Sequence, residues 1–158
     1  MSTPKIKKFY FFEKGEQFMI IMSIDLGKVR TGIAVCDKNE TLASPCCVIK
    51  EKNENMLLEK IIQKALEIKA EKIVVGLPKN MDGTLGESAK RVLKFGEVLK
   101  SKINIPIDFW DERQTTVIAH NYLNETNIRG KKRKSIIDSL SASIILEDYL
   151  KYIKKDRK

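Results

Sequence analysis

The sequence predicts an α/β fold built on a single five-stranded mixed sheet, three antiparallel strands followed by βαβ crossovers, with helices on both faces. Three observations carry that expectation. Three apolar runs between Met19 and Ile49 are joined by connections too short for a crossover, so they must form an antiparallel meander. From Met56 onward the apolar residues recur at helical rather than strand spacing. Two later apolar runs each follow a helical pattern, which makes them parallel strands entered by right-handed crossovers.

The elements follow in order. Residues 1–18 are charged, carry one aromatic patch and show no clear periodicity. Lys14-Gly15-Glu16 can be encoded by a purine-rich ribosome-binding sequence just before Met19, which predicts a start at Met19 or Met22 and a mis-called extension before it. The alternative is an extra edge strand through Phe9–Phe12. Met19–Asp25 is nearly all apolar, as expected of a central strand buried on both faces. Gly32–Asp37 is a second strand and Asp37-Lys38-Asn39-Glu40 a turn; Thr41–Ile49, interrupted by Pro45, suits an edge. Met56, Leu57, Ile61, Ala65 and Ile68 trace a helical stripe, and Lys72–Leu77 is a buried strand stopped by Pro78. Thr84-x-x-Glu87 reads as a capping box opening the next helix, and Pro106–Trp110 as a fifth strand. Helices from about Thr115 to Leu123 and from Ser135 to Tyr152 complete a domain over residues 19–150, followed by a basic tail, 151–158.

Composition narrows the functional classes. At 158 residues the chain is one domain by length, and its 42% hydrophobic content supports a packed core. Thirty Lys and Arg against 21 Asp and Glu give a formal charge of +9, which favours polyanionic partners unless it reflects a generally lysine-rich composition. Cys36, Cys46, Cys47 and the lone His120 lack zinc-ligand spacing, so buried, reduced thiols and a structural histidine are expected. No apolar run approaches a membrane span, and Phe9–Phe12 is too short for a signal sequence. A soluble, cytoplasmic protein with no membrane partner is the expectation.

The chemistry concentrates in three acids. Asp25 ends the first strand at the mouth of the hairpin Asp25-Leu26-Gly27-Lys28-Val29-Arg30-Thr31-Gly32, where both glycines suggest a tight turn at positive φ. Glu112 follows the fifth strand, and Asp138 opens the last helical pattern. Asp25 and Glu112 thus fall at the carboxyl ends of strands, the edge where sites of such sheets gather. Each acid also has a plainer role: Asp25 in the turn, Glu112 at a helix N-terminus, Asp138 in a capping arrangement. Asp111 competes with Glu112, because adjacent strand residues face opposite ways. Ser141, Ala142 and Ile145 share Asp138's helix face, and small side chains there would let the helix approach the sheet closely. Gathered together, the acids would hold two Mg²⁺ or Mn²⁺ ions for phosphodiester cleavage. Arg129, Lys131, Lys132, Arg133 and Lys134 form a dense cationic loop, a solvated loop or a phosphate grip. Lys28, Arg30 and Lys79 extend the same basic surface, and Arg113, next to Glu112, would hold a phosphate or orient an acid.

The ordered segments Ser23–Val35, Val74–Pro78 with Asp82-Gly83-Thr84, Asp111–Thr116 and Arg133–Leu150 resemble the YqgF family of Holliday-junction resolvases and pre-16S rRNA nucleases. The likeness runs from Met19 to about Leu150. It implies an RNase H-like fold, Asp25, Glu112 and Asp138 as an acidic triad, Mg²⁺ or Mn²⁺, and rRNA 5′-end maturation in the cytoplasm. This chain departs from the family pattern in its N-terminal extension and in Ser141, where small alanines are typical. Its middle acid also follows the fifth strand, not the fourth. In a 3-2-1-4-5 strand order Glu112 would start two strand spacings, roughly 9–10 Å, from the strand of Asp25.

These features frame a metal-dependent endonuclease on precursor rRNA. The alternatives are a DNA-junction resolvase, which would need a two-fold dimer, and a non-catalytic RNA- or ribosome-binding module. Monomer and homodimer both remain open. An actin-like ATPase would need two lobes, and the length supplies one.

Overall fold

The computed structural model describes residues 18–111 and the helix 130–156, with side chains from Leu140 onward in the latter. Five strands form one sheet: β1 (Ile21–Asp25), β2 (Arg30–Cys36), β3 (Ala43–Lys50), β4 (Lys72–Leu77) and β5 (Ile107–Asp111), in the order β3-β2-β1-β4-β5. β1 pairs antiparallel with β2 and β2 with β3, whereas β4 pairs parallel with β1 and β5 parallel with β4. The helices are α1 (Glu54–Ile68), α2 (Glu87–Lys102) and α3 (Gly130–Asp156). The expected strand order and the mixture of parallel and antiparallel pairs are both present.

Strand alternation divides the core in two. Met22, Ile24, Ile33, Ile73, Val75 and Ile107 face α1 and α2, packing against Leu57, Ile61, Ala65, Val92, Phe95 and Leu99. Ile21, Ala34, Cys36 and Val74 face the other way, against Ala142, Ile145, Leu146, Tyr149 and Leu150 of α3. The central strand β1 is therefore covered on both sides, which is why its sequence is apolar without alternation.

Local signals set the boundaries. Asn53 caps α1, its Oδ1 accepting from the Met56 N–H at 3.0 Å, and Lys69 ends the helix in the left-handed region at φ 62°. Pro45 lies where β3 shifts register against β2, between Ile33 and Ala34, on an edge strand. Glu40, fully buried, accepts the Met19 N–H at 2.7 Å and so ties the entry of β1 to the β2–β3 turn.

Four expectations are corrected. Thr84 does not cap α2, whose N-cap is Gly86 without a side-chain bond; Thr84 instead donates its hydroxyl to Asp82 at 2.6 Å and accepts from Asn80 at 2.9 Å. These nearer polar groups close the 80–84 turn before the helix begins. The run after Arg129 is not a loop: Gly130 to Lys134 already belong to α3, which also continues to Asp156. Asp138 therefore lies in the interior of the helix and not at its cap. The thiols are not uniformly buried, for Cys46 on the β3 edge is exposed while Cys36 is enclosed. The expected helix at Thr115–Leu123 and the N-terminal extension lie outside the described residues. Among the described residues no helix is long and apolar enough to cross a membrane.

Candidate active site

Asp25 closes β1 at the carboxyl edge of the sheet. Along β1, Ile21 packs under α3 and the Ser23 hydroxyl donates to the Ala142 carbonyl of α3 at 2.6 Å. The two-residue period therefore puts Asp25 on the α3 face as well. Its partner across β2 is Gly32, and one step further along the β1–β4 register its neighbour is Gly76. No side chain of either flanking position stands beside the carboxylate on that face. Asp25 is partly exposed and engaged in polar contacts.

The glycines of the hairpin act differently from the expectation. Neither Gly27 nor Gly32 has positive φ; among the described glycines only Gly83 does, at 88°. Gly27 is required by close approach, because a Cβ there would lie 2.1 Å from the Arg30 carbonyl oxygen. Gly32 is an ordinary strand residue opposite Asp25. Glycine at position 27 thus lets two backbone segments meet without adopting a left-handed conformation.

α3 runs from the site edge across the sheet. Ala142 is level with Ser23, and seven residues on Tyr149 reaches Asp108 at 2.6 Å beside Lys72, which begins β4. Going backward from Ala142, Asp138 lies one turn, about 6 Å, nearer the helix start. Asp25 lies two strand residues, about 6.6 Å, beyond Ser23 in the same direction. Ser141, Ala142 and Ile145 are all buried, so the small residues do allow a close approach. Lys131, Lys132, Arg133 and Lys134 occupy helix positions about 12–16 Å along the axis from Ala142, past the sheet edge.

β5 separates its two acids by face. Ile107 and Phe109 belong to the core under α1 and α2, whereas Asp108 and Trp110 meet Tyr149 on the α3 side. Asp111 has the parity of Ile107 and Phe109, away from the face of Asp25. Glu112, Arg113 and Arg129 lie outside the described residues, and so does His120. Among the described residues no three His, Cys, Asp or Glu side chains form a metal-holding group. Around Asp25 the same edge carries the exposed Lys28, the partly exposed Arg30 opening β2, and Lys79 following β4.

Two features had no signal in the sequence. Arg91 of α2 reaches the hairpin, its Nη1 and Nη2 each donating to the Gly27 carbonyl at 3.3 Å and its Nε to Glu54 at 2.7 Å. Lys72, Asp108 and Tyr149 form a polar cluster that joins β4, β5 and α3, with Lys72 Nζ 2.9 Å from Asp108. Burial opposes the charge on Lys72, but bonds to Tyr149 and Asp108 outweigh it and raise its pKa. Burial likewise works against the Asp108 carboxylate, yet the Tyr149 and Lys72 bonds lower its pKa. Tyr149 is raised by burial and by donating to Asp108.

A mixed 3-2-1-4-5 sheet whose central strand ends in an acid, with the closing helix packed across one face, is the architecture of an RNase H-like fold. The fold is shared with Thermus thermophilus RuvC bound to a Holliday junction, at a TM-score of 0.56, 13% identity, 87% of this chain and 96% of that one. The Fowlpox virus Holliday junction resolvase gives 0.51 at 11% identity, over 85% and 99%. The chain itself belongs to the RuvX (YqgF) family, described as Holliday junction resolvase, whose model matches residues 19–152. A Clostridium botulinum relative named "Putative pre-16S rRNA nuclease" is 39% identical over 137 residues, covering 87% of this chain and all of the relative. One of the same name from Clostridium kluyveri is 41% identical over the same shares.

Proposed function

We propose that this protein is a metal-dependent endonuclease that hydrolyses phosphodiester bonds in precursor 16S rRNA during 5′-end maturation. The observation that carries the reading is Asp25, which ends the central strand on the face covered by α3, beside two glycines and at a cationic edge. Membership of the RuvX family and the name shared by the clostridial relatives support the nuclease class and the RNA substrate.

In this reading Asp25, Glu112 and Asp138 hold the divalent ions. The parity of β5 argues against Asp111, which shares the face of Ile107 and Phe109. Similar rises from the Ser23–Ala142 contact, about 6 Å along the helix and about 6.6 Å along the strand, support pairing Asp138 with Asp25. An all-carboxylate donor set suits Mg²⁺ or Mn²⁺. Ions held there would supply charge neutralisation at the scissile phosphate and would lower the pKa of a water, so that the hydroxide it leaves on losing a proton could attack phosphorus. Lys28 and Arg30 take the phosphates flanking the cut, with Arg113 from the segment after β5. Arg129 and Lys131–Lys134 grip the backbone further along, through charge rather than base identity.

The test is cleavage of a precursor 16S rRNA fragment and of a four-way DNA junction, with Mg²⁺, Mn²⁺ or EDTA. Asp25→Asn should reduce RNA cleavage at least 100-fold, because losing one carboxylate removes a charge from the metal clamp. RNA binding in EDTA should stay within about threefold, since the phosphate contacts are made by cations elsewhere. Cleavage unchanged in the variant would refute the reading, and cleavage confined to the junction would transfer the same chemistry to DNA.

A further inference from the structure

We infer that Arg91 is a positioning residue for this site, acting through the β1–β2 turn from the opposite face of the sheet. The inference rests on the reading of Asp25 as a metal ligand and adds to it the device that holds Asp25 in place. Asp25 presents its side chain on the α3 side, whereas Arg91 comes from α2 on the other side and contacts the backbone two residues after Asp25.

The turn is held at nearly every position. Leu26 is buried in the core beneath α1 and α2, 9% exposed. Gly27 is pressed against the Arg30 carbonyl, too close for a Cβ, while its own carbonyl takes both terminal nitrogens of Arg91. The Val29 carbonyl accepts from the Glu51 N–H at 2.9 Å. Lys28 and Val29 are the turn's exposed residues, and Arg30 is partly exposed. The guanidinium is aimed by Glu54 in the first turn of α1, so one side chain joins three elements at the hairpin. A planar fork with five donors can grip a carbonyl and a carboxylate together; an ammonium cannot reproduce that fixed geometry.

The consequence is catalytic. Metal ligation and in-line attack demand sub-ångström placement, and a displacement of about 1 Å costs on the order of 100-fold in rate. The hold on the Gly27 carbonyl fixes the backbone two residues after Asp25 before any substrate arrives. Hence Arg91 contributes to rate without touching substrate.

The test compares wild type, Arg91→Ala, Arg91→Lys and Asp25→Asn. Amide hydrogen exchange, recorded without metal or RNA, reads the turn directly. Residues 26–30 should exchange about tenfold faster in Arg91→Ala while β4 stays protected, since a local opening raises exchange only where contacts are lost. With Mn²⁺ and saturating RNA, kcat should fall about 10- to 100-fold with KM changed less than threefold, and Arg91→Lys should lie between. A loosened turn with unchanged kcat would overturn the inference, as would an unaffected turn. Global unfolding of both Arg91 variants would also overturn it, by assigning the residue to folding alone. Retained cleavage in Asp25→Asn would instead remove the metal reading, while the exchange data would still decide whether Arg91 holds the turn.

Discussion

Thr31 shows what a single buried group can cost. It is fully buried in β2 and its Oγ1 has no hydrogen-bond partner among the described residues. Burying an unsatisfied hydroxyl costs about 1–3 kcal/mol, so Thr31→Val should raise stability by about 1 kcal/mol, visible as a higher thermal midpoint. A lower midpoint would mean that the hydroxyl has an unrecognised role. At this scale legibility was uneven. Asp25 could be recognised from its place after an apolar run, because burial and the end of a strand are local properties. Arg91 could not, for its partner Gly27 is 64 residues away in sequence and only the packing of α2 brings them together. Gly27 was legible as a turn glycine but for the wrong reason: close backbone approach, unlike chain direction, leaves no mark in the neighbouring residues.

Among the elements, α2 and β5 meet through a missing side chain. A Cβ on Gly96 would lie 2.3 Å from the Phe109 ring, so the helix sits as low as it does because position 96 is bare. Gly96→Ala should destabilise by about 1–3 kcal/mol by overpacking, measured by urea unfolding. Its combination with Phe109→Leu should recover part of that loss, the two sites being in contact. The strand order was readable because short connections force antiparallel pairs and helical crossovers force parallel ones. Helix starts were less so: a Thr three residues before a Glu describes a capping box only if no nearer group takes the hydroxyl, and Asp82 and Asn80 take it here. The start of α3 was obscured in the same manner, since a run of cations suits an exposed helix as well as a loop.

For the whole molecule, the cluster of Lys72, Asp108 and Tyr149 links stability to pH. Asp108, with its pKa lowered on folding, stabilises the protein above about pH 4, and that contribution is lost as pH falls through its folded value. Lys72 and Tyr149, both raised, stabilise below about pH 10 and lose their contribution as pH rises through their folded values. The stability difference between wild type and Asp108→Asn should therefore be greatest and level from about pH 5 to 9, and shrink at both extremes. Unfolding midpoints across pH 2–11 would measure it, and a pH-independent difference would exclude the cluster as its source. The same cluster belongs to the α3 side of the core, and that side has a temporal aspect. Ser23 waits for Ala142, 119 residues later, before its hydroxyl finds the helix carbonyl. On a translating ribosome the strands and α1 and α2 emerge first, leaving Ile21, Ala34, Cys36 and Val74 bare until the final helix is made. In the proposed site Asp138 arrives on that same helix, so a nascent chain has a sheet to protect but no complete acid set. In that reading the element that would complete the acids is also the one that seals the hydrophobic face.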